Sequence, residues 1–87
     1  IFVSLARFRK KPTKEMTDES DRLMKEMANA GIKFLSGYST LGRYDAIFIA
    51  EAPDEKAYMK AMMRFGDIIA TETLVAVPRE EATKLVQ

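Results

Sequence analysis

Thr40-Leu41-Gly42-Arg43-Tyr44-Asp45-Ala46-Ile47-Phe48-Ile49-Ala50-Glu51-Ala52-Pro53 is the stretch on which the fold turns. Gly42-Arg43 suits a two-residue hairpin turn, because glycine at the first turn position tolerates a positive φ. Tyr44 to Ala52 then reads as a strand that is apolar on both faces. Ile47 and Ile49 lie on one side, and Tyr44, Ala46, Phe48 and Ala50 on the other. A strand in a small open sheet with one solvated face alternates to polar residues on that face. This one does not, which points to a sheet covered on both sides.

Working outward, Ile1 to Phe8 is a second segment of strand composition, with Phe2, Ser4, Ala6 and Phe8 as one set and Ile1, Val3, Leu5 and Arg7 as the other. Arg9-Lys10-Lys11-Pro12 is a polar, proline-broken loop. Thr17 suits a helix N-cap, with Asp18 and Glu19 at the positive end of the helix dipole. Leu23, Met24, Met27, Ala28 and Ala30 recur near helical spacing, and Gly31 fits the left-handed position that ends a helix. The pattern predicts a helix over about residues 18 to 30. Ile32 to Leu41 reads as a strand interrupted at Gly37, where glycine marks a bulge.

Beyond the opening stretch, Pro53-Asp54-Glu55 starts a second helix, with Pro53 at its first position. Ala57, Tyr58, Ala61, Met62 and Phe65 form its buried stripe and Gly66 ends it. Ile68 to Val77 reads as a fourth strand, stopped by Pro78. Residues 79–87 read as a short terminal helix. The order strand, helix, strand, strand, helix, strand predicts an α+β, ferredoxin-like βαββαβ fold: a four-stranded antiparallel sheet with two helices on one face. The whole chain, 1–87, is one domain, with 78–87 as a C-terminal extension.

Composition bounds the chemistry. A chain of 87 residues is one domain and buries only about 60–65% of its unfolded surface. It contains no Cys and no His, so disulfides, thiolate chemistry and the commonest metal and haem ligand are unavailable. Neither a metal nor a cofactor is expected. The net charge of +1 exerts no bulk pull on nucleic acid or membrane. No apolar run approaches the roughly 18 residues of a membrane span, and no signal peptide is visible. The expectation is a cytoplasmic protein. The chain starts at Ile1 rather than Met, which leaves room for residues upstream.

Two helices cover one face of a sheet. Assigning Ile47 and Ile49 to the helix side leaves Phe2, Phe8, Phe48, Ile68 and Leu74 on the other side with almost no charge. A contiguous apolar patch of that kind marks a partner surface. The simplest occupant is a second copy, packed sheet to sheet as a homodimer, with room for higher assemblies of dimers.

Three blocks carry a family resemblance: Tyr38-Ser39-Thr40-Leu41-Gly42-Arg43-Tyr44-Asp45, then Glu51-Ala52-Pro53-Asp54, then Thr71-Glu72-Thr73-Leu74. In this order and spacing they resemble the GYD domain family of the dimeric α/β-barrel superfamily, over nearly the whole chain. The resemblance implies a ferredoxin-like protomer that pairs through its sheet face into a barrel. The superfamily includes cofactor-free monooxygenases, haem-degrading enzymes, dismutases and effector-binding domains, so fold alone does not select an activity.

Candidate site residues follow from the faces. Glu72 sits mid-strand with Ala70 and Leu74 on the side assigned to the dimer interior, where a lone carboxylate needs a partner. Tyr38 and Tyr44 supply hydroxyls, Phe48 supplies a wall, and Ser4 and Thr40 add hydroxyls if their strand parities hold. Asp45 reads as a cap on nearby backbone donors. The basic run Arg7, Arg9, Lys10, Lys11 and Lys14 reads as a solvated loop, and the methionines as core filler.

The expected function is a homodimeric small-molecule binding module with a pocket between sheet and partner, similar to the effector-binding domains of leucine-responsive regulators but without their DNA-binding domain. One alternative is a cofactor-free monooxygenase with Glu72 as base and Tyr38 or Tyr44 as orienting donor. The other is an RNA-binding module. Gly42 to Phe48 distantly resembles the third-strand motif of RNA-recognition domains, but it lacks the glycine between basic residue and aromatic, and Ala46 stands at the second stacking position.

Overall fold

In the computed structural model, which describes residues 1–86, the order is β1 (Phe2–Phe8), α1 (Lys14–Asn29), β2 (Lys33–Ser39), β3 (Ala46–Glu51), α2 (Glu55–Arg64), β4 (Ile69–Val75) and α3 (Arg79–Lys84). The four strands form one antiparallel sheet in the order β2-β3-β1-β4. This is the ferredoxin-like arrangement, with the two long helices on one face. No helix among the described residues is long and apolar enough to cross a membrane.

Local chemistry sets the helix ends, and α1 starts four residues earlier than the sequence pattern indicates. Its N-cap is Thr13, whose hydroxyl accepts from the Met16 N–H at 3.2 Å. Thr17 lies inside the first turn and donates to the Thr13 carbonyl at 3.1 Å. The earlier start brings Met16 onto the stripe that continues through Leu23 and Met27, so packing rewards the extra turn. Gly31, at φ +89°, closes the helix as expected. Asp54 caps α2 by accepting from the Ala57 N–H at 2.8 Å, so Pro53 precedes the cap instead of opening the helix.

The β2–β3 connection also differs from expectation. The Thr40 N–H donates to the Asp45 carbonyl at 2.9 Å, and the Thr40 hydroxyl donates to the Tyr44 carbonyl at 2.6 Å. Leu41 to Tyr44 therefore form the loop, and Gly42 supplies its positive φ of +100°. A two-residue turn at Gly42-Arg43 would forgo both bonds. The irregularity in β2 falls between Phe34 and Ser36, at Leu35, while Gly37 pairs regularly with Phe48.

For β1 and β3 the two faces of the sheet are the reverse of the sequence assignment, whereas Glu72 and Leu74 of β4 lie on the open face as expected. Phe2, Ser4 and Ala6 of β1 register with Ala50, Phe48 and Ala46 of β3, and this set faces the helices. Phe2, Ala6, Ala46, Ala50 and Ile69 pack against Leu23, Met27, Tyr58, Ala61 and Phe65 as the core. The Phe2 and Tyr58 rings stack at 4.5 Å. Val3, Leu5, Ile47, Ile49 and Leu74 lie on the opposite, uncovered face. The physical reason is volume: alanines at the sheet centre leave room for large helical rings, which two rows of isoleucine and leucine would not.

The chain is thin and extended, 49 × 32 × 17 Å, with a radius of gyration of 13.9 Å against about 12 Å for a compact chain of this length. Its accessible surface is 6549 Å², roughly 1,300 Å² above the ~5,200 Å² typical of a monomer of its mass. Part of the excess is the C-terminal segment. Ala76 is tied to Ile1 by a 2.7 Å bond, after which the backbone bonds stay local to residues 78–86.

Candidate functional site

The open face carries one polar constellation, at its β4 edge. Glu72 registers with Leu5 and projects from the same face. The loop that replaces the tight turn swings Tyr44 out of strand parity and over this face, where its hydroxyl donates to Glu72 Oε2 at 2.6 Å. That bond raises the Tyr44 pKa above its ordinary 10.0, with a smaller contribution from desolvation. The phenol therefore remains a proton donor at neutral pH. The Arg7 guanidinium lies 5.4 Å from the Tyr44 ring centroid and that of Arg43 lies 5.9 Å from it. Leu5, Ala70 and Thr71 complete a recess of about 280 Å³ around these groups.

Asp45 holds the platform in place. Its N–H donates to the Ala6 carbonyl at 2.8 Å, its carbonyl accepts from Thr40, and its carboxylate accepts from the Phe8 N–H at 2.8 Å. These bonds fix the hairpin to β1, the capping role its position indicated.

The remaining candidates part company with this cluster. Tyr38 registers with Ile47, Ile47 with Leu5 and Leu5 with Glu72. Tyr38 and Glu72 therefore stand on one cross-strand row but at opposite edges, about 14 Å apart at three strand spacings. Tyr38 is 59% exposed and does not join the pair. Thr40 spends its hydroxyl on the loop. Ser4 and Phe48 are on the helix side, a correction to their assignment to the open face.

Ser4 is fully buried, with Tyr58 Oη at 2.6 Å and Thr73 Oγ1 at 2.9 Å. Burial raises the Tyr58 pKa, and the bond to Ser4 partly opposes this. Phe48 meets Phe34 edge-on at 6.4 Å and lines a separate apolar recess of about 380 Å³ under α1, with Met16, Met62 and Phe65.

Sequence reasoning misses Arg7 and Arg43, because it places Arg7 in a solvated basic run and Arg43 in a turn. One signal was available: Arg7 shares the odd-numbered set of β1 with Val3 and Leu5. Nothing in the sequence places Arg43 over Tyr44. Among the described residues no three acidic side chains cluster closely enough to hold a metal ion.

A comparison with curated proteins finds no match. The family model of the GYD domain matches residues 2–86, essentially the entire chain, with the Gly42-Arg43-Tyr44-Asp45 element inside the loop and cap that build this constellation. The chain belongs to the GYD domain family.

Proposed function

We propose that the protein works as a homodimer whose two sheets face each other and enclose a small-molecule site at Tyr44 and Glu72. The observation that carries this is the uncovered sheet face. Its centre, on β1 and β3, is Val3, Leu5, Ile47 and Ile49, and Leu74 on β4 is 50% exposed. Water is a poor neighbour for such a surface. A standard interface takes about 800 Å² from each partner. Pairing encloses the polar edge, and one polar group set among apolar walls is how small-molecule sites are built. The central strands present aliphatic side chains to this face, which leaves bases no aromatic platform for stacking.

Light scattering at micromolar concentration tests the dimer, and a mass of one chain overturns it. A thermal-shift panel of small apolar and amphipathic compounds tests the pocket. Ligands should raise Tm in the wild type and not in Tyr44→Ala. Equal shifts in both would remove Tyr44 from the site.

The 2.6 Å Tyr44–Glu72 contact favours a second reading, a cofactor-free oxygenase. Glu72 would take the proton of a phenolic or quinol substrate, oriented by Tyr44, before reaction with O₂. An unchanged rate of quinol oxidation in Glu72→Gln would rule out this assignment.

A further inference from the structure

We infer that the recess at Arg7, Arg43, Tyr44 and Glu72 takes a small organic monocarboxylate, its anionic head beside the guanidiniums and its apolar body on Leu5 and Ala70. This rests on the pocket proposed above and names its ligand class.

Charge comes first. The recess holds two cations and one carboxylate, a sum of +1. Neither arginine has an ion-pair partner among the described residues, where the salt bridges join only Arg22 and Arg64 to Glu19 and Glu26. Glu72 is already engaged by the Tyr44 hydroxyl at 2.6 Å. The arginines are instead drawn to the Tyr44 ring, at 5.4 and 5.9 Å, and a cation–π contact leaves the N–H fork of a guanidinium free for an oxyanion.

Geometry selects the kind of anion. A guanidinium fork matches a planar carboxylate through two parallel hydrogen bonds. One surplus positive charge balances a monoanion and leaves a dianion over-charged. Leu5 and Ala70 line the same recess of about 280 Å³ and give the ligand's body an apolar surface. Closure by a second sheet would strip water from the two guanidiniums, a cost that a bound anion offsets. Anion binding and dimer closure therefore support each other.

Benzoate, its neutral isostere benzamide, and inorganic phosphate are suitable probes, measured by calorimetry on the full chain with light scattering in parallel. Saturable benzoate binding is expected, at least tenfold tighter than benzamide and weakened by salt. Arg43→Gln and Arg7→Gln should each weaken it tenfold or more with unchanged circular dichroism. Benzamide binding as tightly as benzoate, or wild-type affinity in both arginine variants, overturns the inference. Phosphate binding as tightly as benzoate also overturns it, since the apolar body then plays no part. The absence of benzoate binding to a dimer overturns the inference alone. Benzoate binding to a monomer supports the anion site and overturns the dimeric pocket.

Discussion

Removing one hydroxyl from the protomer core separates structural hydroxyls from ligand-facing ones. Tyr58→Phe deletes the oxygen 2.6 Å from Ser4 Oγ and keeps the ring that stacks on Phe2 at 4.5 Å. Ser4 retains Thr73 at 2.9 Å, so it is not orphaned. The expected loss is that of one net buried hydrogen bond, about 1 kcal/mol. Ser4→Ala is harsher, because it leaves the buried Tyr58 hydroxyl without its partner, a cost of roughly 1–3 kcal/mol. The double variant should cost less than the sum by about 1 kcal/mol, since the shared bond can be lost only once. For a domain of this size 1 kcal/mol corresponds to about 4–8 °C in Tm. Urea unfolding at one fixed protein concentration reads all four corners of the cycle and keeps dimerisation from entering the comparison. Ligand binding should survive Ser4→Ala. Strict additivity of the two variants, or loss of binding in Ser4→Ala with unchanged stability, would refute the placement of Ser4 in a core network.

Three further outcomes follow from the same geometry. Ile49→Lys removes about 1.5–3 kcal/mol of burial from each copy. Twofold symmetry doubles this, so the dimer Kd should rise at least about a hundredfold, read by sedimentation with circular dichroism unchanged; an unaltered Kd would place the interface elsewhere. Asp45→Ala should cost about 0.5–1.5 kcal/mol by removing the exposed bond to the Phe8 N–H and loosening the hairpin, seen as a lower urea midpoint, whereas Asp45→Asn should recover most of it. The Tyr44 and Tyr58 pKa values are both raised above 10.0, so their contribution to stability is fully present below pH 10 and is lost as pH rises through the folded-state values. Absorbance at 295 nm should show the Tyr44 phenol ionising earlier in Glu72→Gln, and no change would show that the 2.6 Å bond is not formed in solution.

Much of the fold was legible because its determinants are local. Tyr58, Ala61 and Phe65 repeat at helical spacing, Gly31 stops a helix through its own φ, and the order of elements needs only the periods of each segment. Thr13 was overlooked because Thr17 offers the same capping chemistry, and only packing of Met16 chooses between them. The loop at Leu41 to Tyr44 is longer than its own residues indicate because Asp45, which closes it, is held by Ala6 and Phe8 of β1.

The sequence by itself determined the βαββαβ order, the family, the two alternating residue sets within β1, β3 and β4, and the prominence of Glu72 and Tyr44. Tertiary structure alone decided which set meets the helices. Alternation has no sign: it divides Ile47 and Ile49 from Ala46, Phe48 and Ala50, and the volume beneath α1 and α2 then selects the small residues. That choice moved Ser4 and Phe48 to the helix side of the sheet. It also gathered Arg7, Arg43, Tyr44 and Glu72 at one edge, since groups 28 or more residues apart, as Tyr44 and Glu72 are, meet only through strand register and the path of a loop.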